Sequence, residues 1–268
     1  LLLNKFGELY SYTGRYREAA RSLNDAIDIH ANLGGDESLE YINTAINLGI
    51  LYMSQGKYPE AQQTFEAVLD KLDPSDPAYA AVLSNQALVL HSLGQLTLAE
   101  RTLRDIKDID SLTVGTHHPD YAITLSNLGL VYADLGKFKE AERALTDALS
   151  IQKENGEANT LSYARKLNNL AKVYQLAGAA PKAITLLEQS FSIFRKNMGK
   201  DSPEYATSAF NLGVALWKAG KGEAGFKYLK TSAAIRAKVL GKNHPQYAQS
   251  ILKLAQYQWQ NKSIPDAR

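Results

Sequence analysis

Glycines recur along this 268-residue chain at Gly14, Gly56, Gly94, Gly136, Gly178 and Gly220, spaced 42, 38, 42, 42 and 42. One further step reaches Lys262. Tyrosines stand fifteen residues before these points at Tyr41, Tyr79, Tyr121, Tyr163, Tyr205 and Tyr247. Nine before come Asn47, Asn85, Asn127, Asn169 and Asn211, with Lys5 and Lys253 at the two ends. Five after come Ala19, Ala61, Ala99, Ala141, Ala183 and finally Ala267. A period of this length is one supersecondary unit that cannot bury its own apolar face, so neighbouring units must stack to form a core.

Residues 119–154 show what one period folds into. Tyr121, Leu125, Leu128, Gly129 and Tyr132 make one helical stripe, and Phe138, Ala141, Leu145, Ala148 and Leu149 make a second. Gly136 between them supplies a helix end with positive φ. Gly129 and Ala141 are small enough to let two antiparallel helices approach closely. Pro77, Pro119, Pro203 and Pro245 sit two residues before the tyrosine, where a missing N–H costs a helix nothing. Each unit is predicted to be helix, tight turn, longer helix and connector. The chain is accordingly expected to be all-α, a single α-solenoid of antiparallel hairpins over residues 1–268.

The pattern Leu128-Gly129-x-x-Tyr132 followed by Ala141-x-x-x-Leu145 resembles the tetratricopeptide repeat, and Ile235 to Ala248 is similar to the 42-residue repeats of kinesin light chains. The resemblance covers essentially the whole chain. It implies a right-handed superhelix that works as a scaffold, with asparagines of the first helices holding the backbone of a bound peptide.

Two units depart from the pattern. The Leu72-Asp-Pro-Ser-Asp-Pro77 connector is four residues short, which predicts a tightened or kinked joint. In the sixth unit, Gly220-Lys-Gly-Glu-Ala-Gly225 puts glycine where the others have the packing alanine. Helix propensity alone predicts a softer joint there, at about 1 kcal/mol for each helical glycine. The same six residues match a dinucleotide fingerprint, but that motif works only after a strand, and here a helix precedes it.

Several function classes drop out. The absence of cysteine removes disulfides, thiolate metal sites and thiol catalysis. No apolar run nears the roughly 18 residues of a membrane span, and Leu1-Leu2-Leu3 is too short for a signal-peptide core. The compartment stays open, with the cytoplasm as the default expectation. His118 and His244 each precede a unit's proline and read as turn or capping residues, not as metal ligands with His117. Neither a cofactor nor catalysis is expected. Residues 1–110 carry 9 basic and 16 acidic side chains, a net of −7, and residues 111–268 carry 21 and 12, a net of +9. That polarity favours acidic partners for the second half. Nucleic acid is not expected, since no basic stripe interleaved with aromatics recurs in every unit.

The partner surface is expected on the concave side lined by first helices. For the asparagine row two readings stand open: hydrogen bonds to a peptide backbone, or bonds between neighbouring helices that stiffen the stack. The expected groove residues are Asn85, Asn127, Arg165, Asn168, Asn169, Lys172, Phe210, Asn211, Trp217, Lys253, Gln256 and Trp259. Trp217 and Trp259 occupy equivalent places one repeat apart, and with the nearby cations they make a hot-spot surface for an acidic segment with an apolar anchor. The competing reading packs each tryptophan on the next repeat. The expected function is protein binding by a peptide or helical segment. The alternative is a regulatory segment of a larger bacterial enzyme, such as a caspase-like peptidase of the CHAT type, a kinase or a transcription regulator. Leu1 falls inside a first helix, and Ile264-Pro265-Asp266-Ala267 aligns with the second-helix opening Tyr58-Pro59-Glu60-Ala61. The sequence therefore reads as about six and a half repeats, cut within hairpins at both ends. A homo-oligomer is only weakly expected.

Overall fold

The computed structural model describes residues 2–12 and 15–262. Gly14, Pro265 and Ala267, which carry parts of the ladders, lie outside the described residues. Within them the chain is all-α, with thirteen helices and no strand. It divides into two compact units, residues 1–116 and 117–268. Residues 111–116 carry no charge, so this boundary falls where the net −7 gives way to +9.

The first unit holds α1 (Leu2–Tyr12), α2 (Tyr16–Gly34), α3 (Leu39–Ser54), α4 (Tyr58–Leu69), α5 (Pro77–Ser92) and α6 (Leu96–Thr113). The second holds α7 (Pro119–Asp134), α8 (Phe138–Glu154), α9 (Leu161–Leu176), α10 (Ala180–Met198), α11 (Pro203–Lys218), α12 (Gly222–Val239) and α13 (Pro245–Lys262). Odd-numbered helices are the first of each hairpin and even-numbered ones the second.

The tight turns are where the glycine ladder places them. At Gly136 (φ 74°) the backbone takes the left-handed conformation that only glycine adopts without strain. The Gly136 amide then donates to Ala133 O at 3.1 Å and the Lys137 amide to Tyr132 O at 2.8 Å. This pair of bonds satisfies carbonyls that a helix end leaves orphaned. The same two-bond closure recurs after α3, α5, α9 and α11. First helices start on side-chain caps. Ser38, Thr160 and Ser202 accept from Tyr41, Tyr163 and Tyr205 amides, and the His118 ring accepts from the Asp120 amide at 3.2 Å.

The apolar stripes meet as their spacing requires. In the first unit Ala19 and Leu23 pack with Leu48 and Leu51, while Ala61, Phe65 and Val68 pack with Ile42, Ala45, Val82 and Val89. In the second, Leu145 and Leu149 join Leu167, Leu170, Tyr205 and Ile235. Close approach depends on missing β-carbons: one added at Gly129 would stand 2.5 Å from Leu145 Cγ. The four-residue deficit is taken mainly from a helix, since α4 has 12 residues where α2 has 19. Lys71 spans to Asp36 beside the shortened end. The sixth hairpin is close-packed at its glycines. An alanine at 225 would put its β-carbon 2.6 Å from the Gly213 carbonyl oxygen.

Candidate functional site

The second unit presents one ladder position per first helix: Asn127 on α7, Asn169 on α9, Asn211 on α11 and Lys253 on α13. Their spacing of 42 residues keeps them on equivalent faces of successive hairpins. Between α9 and α11 lies a cavity of about 200 Å3, lined by Asn168, Asn169, Lys172, Gln175, Leu187 and Asn211. Helix spacing on α9 places Asn168, Asn169, Lys172 and Gln175 along one side. Leu187 comes from α10 and Asn211 from α11.

The amides here are unspent. Among the described residues Asn85, Asn127, Asn168, Asn169 and Asn211 form no side-chain hydrogen bond, although all five are half-buried. Asn168 Oδ1 is fully covered and has no donor. Asn47, at the matching position of the first unit, behaves differently. Its Nδ2 donates to Asn4 Oδ1 at 2.8 Å and to Glu8 Oε1 at 3.2 Å, tying α3 to α1. The inter-helix reading of the asparagine row therefore holds at Asn47 and not at Asn127, Asn169 and Asn211.

The charged groups are partly compensated. Lys172 Nζ donates to Asp134 Oδ1 at 3.0 Å, whereas Arg165, two turns earlier on α9, is exposed. Asn85 belongs to the first unit and takes no part in this cavity.

A second grouping forms at α11 and α13. The rings of Trp217 and Tyr257 meet edge to face with centroids 6.0 Å apart, and Lys253 Nζ lies 5.9 Å from the Trp217 centroid. Lys253 also donates to Gln256 Oε1 at 3.0 Å. Trp217 is half-buried by this packing, while Trp259 is 74 % exposed. The two tryptophans, equivalent in sequence, therefore differ in environment.

Phe210 requires correction as a groove residue. It is 8 % exposed and lies beneath the Arg236 guanidinium, 4.8 Å from its ring centroid. Arg236 is itself 1 % exposed. It donates to Gln246 O and Ser250 Oγ, both at 2.8 Å, and to Thr207 Oγ1 at 3.4 Å, while its Nε is buried without a partner. Burial pulls its guanidinium below the ordinary arginine value. This clamp escaped the sequence reading because an arginine on a second helix looks like a solvated residue. Leu187 was also missed as a cavity wall, though its place four residues after Ala183 marks it as a packing position. Elsewhere on α9, burial holds the Lys166 amine below the usual lysine range, with Glu157 opposing the shift. Burial and a 2.7 Å bond to Glu142 push the Tyr174 phenol up to about 12. No group of three or more His, Asp or Glu side chains able to hold a metal occurs among the described residues. No helix described is long and apolar enough to cross a membrane.

Family models described as tetratricopeptide repeat match residues 1–72, 79–154 and 162–224, and two others of the same description match 46–111 and 206–246. The chain belongs to the tetratricopeptide repeat family. No curated protein matches the sequence. Solved tetratricopeptide-type structures share the fold. BtubC (BKLC) from P. vanneervenii is 19 % identical, with a TM-score of 0.71 over 86 % of this chain and 94 % of that one. A putative kinesin light chain with nearly identical TPR-like repeats from Podosopora anserina is 25 % identical, with a TM-score of 0.61 over 74 % of this chain and 95 % of that one. The APC/C hetero-tetramer Cut9-Hcn1 contains a chain that is 16 % identical, with a TM-score of 0.68 over 95 % of this chain and 42 % of that one. Tetratricopeptide arrays are in general protein-interaction scaffolds, and no catalytic family is among the matches.

Proposed function

We propose that this tetratricopeptide chain is a non-catalytic scaffold whose second unit binds an extended segment of a partner protein across its first-helix face. One observation carries the reading: Asn127, Asn168, Asn169 and Asn211 are half-buried and leave their amides unbonded within the chain. Buried polar groups are ordinarily paired, and of these amides Asn168 Oδ1 is buried without a donor, while the others present their groups to the face. An extended peptide carries one free N–H and one free C=O per residue, so its backbone can supply the missing partners without regard to sequence. Arg165, Lys253, Gln256 and the exposed Trp259 extend the same face. With a net of +9 on the second unit they favour an acidic segment carrying an apolar anchor.

The test compares wild type with the Asn169→Ala, Asn211→Ala double variant in affinity capture from a lysate of the source organism. A protein retained by the wild type and lost from the variant is expected, and it should map to a short linear segment. Equal retention, with both proteins showing the same helical circular dichroism and melting temperature, would sink the proposal.

A further inference from the structure

We infer that the cavity between α9 and α11 recognises a side-chain carboxamide, an asparagine or glutamine of the bound segment, in preference to a carboxylate. This rests on the reading that the first-helix face of the second unit takes an extended segment. Four of the lining residues, Asn168, Asn169, Gln175 and Asn211, are neutral amides. The one cation in the lining, Lys172, is already held by Asp134 at 3.0 Å, and Arg165 is not part of the wall. A carboxylate entering here meets no uncompensated positive charge. It also brings acceptors only, where a carboxamide brings two N–H donors and an acceptor.

The neutral lining decides the preference. A carboxylate that leaves water here gains no free cation in return, whereas the wall amides offer donors and acceptors that a carboxamide matches in both senses. Size agrees: about 200 Å3 holds one side chain, below the roughly 300–1,000 Å3 of small-molecule sites. Leu187 supplies an apolar wall against which the methylenes of a glutamine pack. The acidic character proposed for the segment as a whole then belongs to positions outside the cavity, nearer Arg165 and Lys253.

The test is selection of a displayed library of random linear peptides on the full 268-residue chain. Affinities of enriched peptides are then measured by fluorescence polarisation. The expected peptides share a glutamine or asparagine, and changing it to glutamate or aspartate weakens binding by about tenfold or more, the cost of leaving a buried polar group unpaired. That loss shrinks on the Asn211→Ala variant, because the two changes remove the same contact. Because the decisive change is made in the peptide, folding of the protein is not at issue. Enriched peptides that bind through an acidic residue, and weaken with Lys172→Gln, overturn the carboxamide and leave the peptide-binding reading standing. Peptides indifferent to both Asn168→Ala and Asn211→Ala also overturn it. Failure to enrich any peptide overturns the peptide-binding reading itself.

Discussion

Gly225 of α12 lies against Gly213 of α11 so closely that a β-carbon at 225 would stand 2.6 Å from the Gly213 carbonyl oxygen and 2.9 Å from the Trp217 amide nitrogen. Every other repeat described in the structure seats an alanine at this place, and helix propensity alone favours that alanine by about 1 kcal/mol. The steric cost has the opposite sign and is larger, because the obstacle is backbone and cannot rotate away. Gly225→Ala is therefore expected to destabilise the protein by about 1–3 kcal/mol. Thermal unfolding followed by circular dichroism measures it, and a raised melting temperature would refute the close-packing account.

The asparagine row separates into two kinds of residue. Asn47→Ala removes two side-chain bonds to α1 and should cost about 1–2 kcal/mol of stability. Asn169→Ala and Asn211→Ala break no bond within the chain and should each stay within about 0.5 kcal/mol of wild type. Urea unfolding of the three variants checks this ordering. Equal losses at all three positions would mean that the second-unit asparagines are structural too.

Arg236 fills its site with a cation that faces no carboxylate among the described residues. Arg236→Ala leaves a cavity and removes the guanidinium bonds to Ser250 Oγ and the Gln246 carbonyl, so a loss of about 3 kcal/mol is expected. Arg236→Met keeps most of the volume and removes the desolvation cost, and should fall within about 1 kcal/mol of wild type. Equilibrium unfolding distinguishes the two. If methionine is as damaging as alanine, the hydrogen bonds of the guanidinium outweigh its burial.

Tyr174 links stability to alkaline pH. Its folded value is raised from 10.0 to about 12, first by burial and then by the bond to Glu142. The folded state therefore holds this proton more tightly than the unfolded chain. The resulting stabilisation is complete below pH 10.0 and is lost as pH rises towards about 12. Tyr174→Phe should remove this part of the alkaline decline in melting temperature, and Glu142→Gln should reduce it. Identical profiles for all three proteins between those limits would exclude Tyr174 as the cause.

What sequence determined and what only the structure decided divide by the range of the interactions involved. Each turn is set by a single glycine and the bonds of its immediate neighbours, as at Gly136 with Ala133 and Tyr132, so the stacked hairpins were legible from spacing, and the resemblance of Leu128-Gly129-x-x-Tyr132 and Ala141-x-x-x-Leu145 to the tetratricopeptide repeat named the fold. The packing faces followed from helical period, which is why Ala61, Ala141 and Leu145 are core residues as expected. The site was legible only in outline. Asn168, Asn169, Lys172 and Asn211 were all readable as surface candidates, and the fold brings them to one cavity with Leu187. Their hydrogen-bonding state was not readable. Asn47 is paired by residues 39 and 43 positions away, whereas Asn169 and Asn211 carry the same residue type at the same register and have no such partners. Likewise Phe210 is core because Arg236, 26 positions later, closes over its ring, whereas Trp217 is half-buried against Tyr257 and Trp259, at the equivalent place, is exposed. Periodicity places a side chain on a face. Whether that face is covered depends on neighbours from other repeats, and there the repeat is least regular.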